Sequence, residues 1–92
     1  MDSEYMKDVA KHLNEISWKT LDVIDRNENV TYLKLLELLS ISKNLVHKEI
    51  ARLEGAVLIT TERNPLDNRS FYYHLTNYGE QILAYKDKQT NV

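Results

Sequence analysis

Apolar residues recur at every third or fourth position through the first part of the chain. The residues that follow this spacing are Tyr5, Val9, Leu13, Ile16, Leu21 and Ile24. Such a period is typical of an amphipathic helix, so the pattern predicts helix over residues 2–26. Asn14 is of a residue type that caps helices, and the pattern fits either one long helix or two helices with a break at residues 12–14.

Two further helices are predicted after a polar loop at residues 27–29. Thr31 offers a hydroxyl that caps a helix from Tyr32 to Leu39, and Ser42 offers one that caps a helix from Lys43 to Glu54. The second helix has an apolar side that should pack on the core. The residues predicted on its outward side are Lys43, Asn44, His47, Lys48 and Ala51.

A two-stranded hairpin and a closing helix are predicted for the remainder. Residues 57–61 and residues 70–75 are rich in β-branched and aromatic side chains, which is typical of strands. The polar residues between them form the turn. Gly55 is predicted to end the preceding helix, and Thr76 is predicted to cap a helix over about residues 77–89.

Length and composition limit the kinds of protein that this chain can be. Ninety-two residues, 42% of them hydrophobic and 28% charged, predict one globular domain over residues 1–92. No cysteine is present, so disulfides and thiolate metal sites are excluded. The first residues do not read as a signal peptide and no stretch is apolar enough to span a membrane, so we expect a soluble cytoplasmic protein.

Catalytic chemistry finds little support in the sequence. His12, His47 and His74 are far apart and are not spaced as metal ligands, so no metal or cofactor is expected. Glycine occurs only at positions 55 and 79, which excludes the usual phosphate-binding loops. We therefore expect a binding protein and not an enzyme.

Charge is distributed unevenly along the chain. Twelve Lys and Arg residues against fourteen Asp and Glu residues give a net charge of −2. Residues 1–42 hold eight acids and five bases, whereas residues 43–74 hold four acids and five bases. The region of the second predicted helix and the hairpin is thus the most basic part of an acidic chain, although its excess of one positive charge is small for a nucleic-acid binder.

The order of these elements resembles the winged helix-turn-helix family. It is most similar to regulators of the multiple-antibiotic-resistance and phenolic-acid-decarboxylase-repressor types. The matching motifs are residues 41–46 leading into residues 50–54, the hairpin tip from residues 62–63 to 67–69, and residues 73–79 opening the last helix. The match covers about residues 14–84, with residues 1–13 as an N-terminal helical extension. The expected fold is mainly α with a small β-hairpin.

The resemblance implies that the chain binds double-stranded DNA. The helix at residues 43–54 would lie in the major groove, and the wing at residues 62–70 would meet the minor groove or the backbone. The residues expected to contact DNA are Ser42, Lys43, Asn44, His47, Lys48, Arg52, Arg63, Asn68 and Arg69. Arg52 also fits the role of a partner for Glu49 or Glu54. The resemblance gives Asp67 the role of holding the wing in shape.

Three residues depart from the family pattern. Val57 stands where glycine is common after the second helix, so a different helix exit is expected. Leu45 stands where a small hydroxyl residue is common. Glu49 lies on the helix that should approach phosphates, where a carboxylate would weaken or redirect binding.

A minimal core leaves several apolar residues without obvious burial. The residues assigned to that core are Ile16, Leu21, Leu35, Leu39, Val46, Ile50, Leu53, Leu58, Phe71 and Leu75. The terminal residues left over, which we assign to a homodimer interface, are Tyr5, Met6, Val9, Tyr78, Ile82 and Tyr85. The alternative is that the N-terminal segment folds back over its own core.

Three functions fit these observations. The first is a transcriptional regulator or repressor that binds a palindromic site as a homodimer. The second is a site-binding adaptor for DNA segregation, such as plasmid partition, which would contact a second protein through its acidic N-terminal half. The third is a winged-helix module that binds a protein and never binds DNA.

Overall fold

In the part of the chain that the structure describes, five helices and one antiparallel hairpin make up the fold. The computed structural model describes residues 3–67 and 69–90. In chain order the elements are α1 (Ser3–Lys11), α2 (Glu15–Arg26), α3 (Tyr32–Leu39), α4 (Lys43–Gly55), β1 (Ile59–Arg63), β2 (Phe71–Leu75) and α5 (Asn77–Thr90). The prediction of a mainly α fold with a small hairpin is confirmed. Within the described ranges no helix combines the length and the apolar character that crossing a bilayer requires.

The first helical segment is two helices separated at residues 12–14. Asn14 ends the ambiguity because its side-chain oxygen accepts a hydrogen bond from Ser17 N at 2.9 Å. The Asn14 amide in turn donates to Ser17 Oγ at 3.2 Å, which completes a capping box. Of the two arrangements that the sequence left open, the break is the one that forms.

A side-chain cap begins each of the helices α3 and α4, and a short turn joins them. Thr31 accepts a hydrogen bond from Lys34 N, and Ser42 accepts one from Leu45 N, each at 3.2 Å. Ser40 ends α3 in the left-handed conformation, with φ of 53°. Both predicted caps are confirmed, and α4 begins three residues after Ser40 closes α3.

The exit of α4 differs from the prediction. The helix continues through Gly55, and the residue that takes the left-handed conformation is Val57, with φ of 60°. Leu58 N donates to Leu53 O at 2.9 Å and Val57 N donates to Glu54 O at 3.0 Å. These two bonds form a Schellman motif with Val57 at the position that usually holds glycine. Gly55 is the last residue of the helix, but the expectation that it supplies the permissive backbone there is wrong, because the left-handed residue lies two positions later.

The hairpin begins where that motif ends. Because residues 56–58 form the helix exit, β1 begins at Ile59 and extends to Arg63, two residues later than predicted at each end. The register pairs Ile59 with Leu75 at the base and Arg63 with Phe71 at the outer end. Val30 adds a bridge to Tyr73, whose amide donates to Val30 O at 2.8 Å. This bridge ties the hairpin to the segment before α3.

The core lies between α2, α3, α4, α5 and the base of the hairpin. The buried apolar residues are Leu21, Ile24, Val30, Leu35, Val46, Ile50, Leu53, Leu58, Ile59 and Ile82. Ile16, Leu39 and Leu75 are half-buried. The assignment of Phe71 to the core is wrong, because its place at the outer end of the hairpin leaves it 42% exposed.

The start of α5 packs closely on the exit of α4. Thr76 Oγ1 donates to Val57 O and accepts from Gly79 N at 3.1 Å, so the predicted cap is confirmed. A Cβ atom on Gly79 would lie 2.1 Å from the carbonyl oxygen of Leu58. Only glycine allows this approach between two backbones. The wing, α4 and α5 therefore meet at one point.

The two glycines should respond in opposite ways to alanine. Gly79→Ala forces the Leu58 carbonyl to move and should lower the free energy of unfolding by about 1–3 kcal/mol, as overpacking does. Gly55→Ala adds a methyl group where no atom lies within 4 Å. That change should raise the same free energy by about 0.5–1 kcal/mol, because alanine favours the helix. Urea denaturation measures both, and equal effects would contradict the contact at Gly79.

Val57 should be improved by glycine. A left-handed backbone costs a non-glycine residue about 1–2 kcal/mol, and glycine avoids this cost. Part of the gain is lost again, because glycine gives up more backbone entropy on folding. We expect Val57→Gly to raise the free energy of unfolding by about 0.5–1 kcal/mol, measured as a higher urea midpoint. A lower midpoint would show that the packing of the Val57 side chain contributes more free energy than the left-handed backbone costs.

Candidate nucleic-acid interface

The outward side of α4 is exposed. Ser42, Lys43, Asn44, His47 and Lys48 are all exposed. They stay exposed because Val46, Ile50 and Leu53, on the opposite side, are buried in the core. The helical period thus separates the polar face from the packed face as predicted.

Glu49 does not lie on the face that would approach phosphates. Its side chain points inward and is only 4% exposed as a residue. Both carboxylate oxygens lie within 3.0 Å of Ser17 Oγ on α2. Glu49 therefore cannot repel a phosphate from the exposed face of α4.

Arg52 lies at the edge of the exposed face. Its Nε atom is 3.9 Å from Glu49 Oε1, and its Nη1 atom donates to the backbone carbonyl of His12 at 3.4 Å. The ion pair is the one that the sequence suggested as an alternative to a DNA contact. Arg52 thus bridges α4 to the end of α1.

The tip of the wing is organised by two side chains that accept backbone hydrogen bonds. Asn64 Oδ1 accepts from Leu66 N at 2.9 Å, and Asp67 Oδ1 accepts from Arg69 N at 3.0 Å. The second bond is the role expected for Asp67. Asn68, a predicted DNA contact, lies outside the described residues. Arg69 is exposed on this tip, and Arg63 is exposed at the end of β1.

A groove of about 480 Å³ is lined by the start of α3, by the wing and, from α4, by His47. Arg69 lines it from the wing, and Phe71 and Tyr73 line it from β2. His47, on the outer face of α4, and Arg69 therefore border the same groove. The structure brings together these two residues, which lie 22 positions apart in the sequence.

Tyr32 is a residue of this groove that the sequence did not single out. Its ring stacks on His47, with the ring centres 4.6 Å apart and an angle of 25° between the planes. Its hydroxyl is buried without a hydrogen-bond partner among the described residues. Only the place of Tyr32 at the start of α3, facing the second helix of the motif, could have indicated this contact.

The acidic residues near the groove differ in exposure. Glu49 is buried, Glu62 is exposed and lies 2.9 Å from His74 Nε2 across the hairpin, and Asp67 lines the groove itself. Burial raises the pKa of the Tyr73 phenol above its ordinary value of 10.0, and the carboxylate of Glu54 raises that pKa further. Of these carboxylates, only that of Glu49 is removed from the surface by the fold.

The predicted dimer residues are divided between exposed and buried positions. Ile82 is fully buried in the protomer, so its assignment to a surface without a partner is wrong. Met6, Val9 and Tyr85 are half-buried and pack against the core, since α1 folds against α5. Tyr5 and Tyr78 are 54% and 46% exposed. The alternative in which the N-terminal segment covers its own core thus describes Met6 and Val9.

Comparison with known proteins gives a fold but no close relative. No protein-family model matches the chain, and no curated protein sequence matches it. Among solved structures, FabT from Streptococcus pneumoniae in complex with DNA is 25% identical, with a TM-score of 0.78 over 88% of this chain and 57% of that one. A mutant of MarR from E. coli complexed with operator DNA is 23% identical, with a TM-score of 0.76 over 89% and 57%.

A third similar structure is the adhesin competence repressor AdcR from Streptococcus pyogenes. It is 21% identical, with a TM-score of 0.77 over 87% of this chain and 58% of that one. The chain spans less than two thirds of the length of each of these proteins. Its five helices and hairpin have the winged helix-turn-helix fold of the MarR-type transcriptional regulators.

Proposed function

We propose that this chain is a sequence-specific regulator of transcription that binds double-stranded DNA. The observation that carries the proposal is the groove shared by His47 on α4 and Arg69 on the wing. Because both elements open onto one side, α4 can enter a major groove while the wing meets the adjacent backbone or minor groove. Two of the solved structures with this fold hold DNA, which supports the same arrangement.

Most of the exposed polar side chains on this side have a matching contact on DNA. The amide of Asn44 can pair with adenine, and Lys43 or Lys48 can contact guanine or phosphate. Ser42 and the first backbone amides of α4 suit a phosphate oxygen. Arg63 and Arg69 suit a narrow minor groove, where the negative potential is concentrated. Arg52, which is half-exposed beside Glu49, is placed for a phosphate at the edge of the site.

A homodimer that recognises an inverted repeat is the form that we propose for the bound protein. The terminal helices α1 and α5 pack on each other and leave Tyr5 and Tyr78 exposed on the outside. A two-fold axis through these helices would place two copies of α4 about 34 Å apart, one turn of DNA. The aromatic rings would then supply the apolar contact between protomers.

Removing the cations of the site should abolish specific binding. In the variant Lys43→Ala, Lys48→Ala, Arg69→Ala we expect affinity for a selected duplex to fall by about two orders of magnitude, since each contact is worth on the order of 1 kcal/mol or more. The slope of log affinity against log salt should also become shallower. Fluorescence anisotropy measures both.

The matched control removes the same number of charges elsewhere. Lys7→Ala, Lys19→Ala, Arg26→Ala changes the net charge equally on α1 and α2, where Lys19 and Arg26 form only surface ion pairs. It should retain most of the affinity. Equal losses in the two variants would show that net charge, and not this site, governs binding. A weak salt dependence of the parent protein would favour the protein-binding module.

The dimer should be detectable from its mass in solution and from the symmetry of the DNA sites that it selects. Light scattering at micromolar concentration should give twice the mass of the 10.8 kDa chain. Selection from a random pool should recover an inverted repeat with half-sites one turn apart. Tyr78→Glu should yield a monomer that binds a single half-site, and a parent protein that is already monomeric would refute the dimer.

A further inference from the structure

The fold buries one charged side chain, and that side chain belongs to α4. Among the described residues with buried side chains, Glu49 is the only ionisable one, since the others that carry polar atoms are Ser17 and Thr20. Sequence position alone would place a glutamate of this helix at the surface. The contacts of Glu49 therefore suggest that it holds two parts of the fold together.

Glu49 reaches the first turn of α2. Ser17 Oγ lies 2.9 Å from Oε2 and 3.0 Å from Oε1, and also 3.1 Å from Asn14 Oδ1. A hydroxyl has one proton, so Ser17 donates to one of these oxygens at a time. The carboxylate also lies at a helix N-terminus, where the helix dipole favours a negative charge.

Arg52 makes a second link from the same helix. One turn after Glu49, its guanidinium donates to the carbonyl of His12, in the turn between α1 and α2. The residues that receive these two links, 12–17, form what we call the elbow. α4 is thus joined to the elbow at two points, Glu49 and Arg52, which are three residues apart.

Stability does not account for this arrangement. A carboxylate that is removed from water loses several kcal/mol of hydration, and one serine hydroxyl with an arginine at 3.9 Å recovers only part of it. Replacing such a group by an apolar side chain is often neutral or stabilising. Hydrogen bonds are directional whereas apolar contacts are not, so what the links supply is a defined rotation of α4 about its own axis.

That rotation matters for reading bases. A turn of about 20° moves a side-chain tip lying roughly 6 Å from the helix axis by about 2 Å. Such a shift is enough to break a hydrogen bond to a base edge. Contacts with phosphates, which are longer in range, would be affected much less.

We propose that Glu49 is a positioning residue, which with Arg52 locks α4 to the elbow so that Asn44 and Lys48 meet their bases in register. This inference rests on the proposed DNA binding and adds a control point to it. A displacement of the elbow, by α1 or by whatever packs on α1, turns α4 about its axis. That turn changes how strongly the protein discriminates between DNA sequences. None of the residues that contact DNA has to be replaced for this change.

The test compares specific with non-specific affinity. Ser17→Ala should lower affinity for the selected duplex about tenfold, the equivalent of one base contact, and leave affinity for a scrambled duplex within about twofold. Glu49→Met should do the same without a lower unfolding midpoint. Glu49→Gln keeps an acceptor for Ser17 and should restore affinity close to that of the parent.

Thr20→Val is the matched control. The Thr20 hydroxyl is equally buried on α2 but donates to Ile16 O of its own helix, at 2.7 Å. Its removal should leave the affinity ratio unchanged. Parent-like discrimination in both Ser17→Ala and Glu49→Met overturns the proposal, and so does an equal loss in Thr20→Val, which would mean that the effect is general destabilisation.

Amide hydrogen exchange without DNA separates this inference from the proposed function. In Ser17→Ala, amides of α1 and α4 should exchange faster than in Thr20→Val, while those of the hairpin keep their protection. Unchanged exchange refutes the lock even if DNA binds. A parent protein that binds no duplex refutes the proposed function, and the exchange result then still decides whether the elbow holds α4.

Discussion

The packing of α4 against the core is the interaction on which the rest of the structure depends. Val46, Ile50 and Leu53 are buried beneath it, so the opposite side of the helix has to face outward. Burial of this kind sets which face is inside but tolerates some rotation. The polar contact between Glu49 and Ser17 adds direction to the same interface. Exposure of Lys43, Asn44 and Lys48 is the consequence of both.

The exit of α4 determines where the wing lies. The left-handed Val57 reverses the chain immediately after the helix, and Leu58 returns to the core beside Leu53. The start of α5 packs on this exit, because Thr76 donates a hydrogen bond to Val57 O and Gly79 lies close to the Leu58 carbonyl. Because the hairpin starts one residue beyond Leu58, this exit sets the direction in which the tip projects. The groove lined by His47 and Arg69 follows from that geometry.

Electrostatics depends on tertiary structure more than on composition. The sum that gives residues 43–74 an excess of one positive charge counts the carboxylate of Glu49, which the fold buries. Glu62, which lies against His74, and Asp67, which holds the turn of the wing, both stay exposed. A sum along the chain weighs the buried carboxylate of Glu49 equally with these exposed ones. The surface of the site is accordingly more basic than the chain.

Local patterns were sufficient for most of the elements of this protein. The apolar period, the caps at Asn14, Thr31, Ser42 and Thr76, and the β-branched runs encode helices and strands because those signals act over a few residues. Contacts between distant residues were not encoded locally: the inward turn of Glu49, the stacking of Tyr32 on His47, the burial of Ile82 and the exposure of Phe71. Each of these depends on which elements meet in space, and that is decided only when the whole core packs.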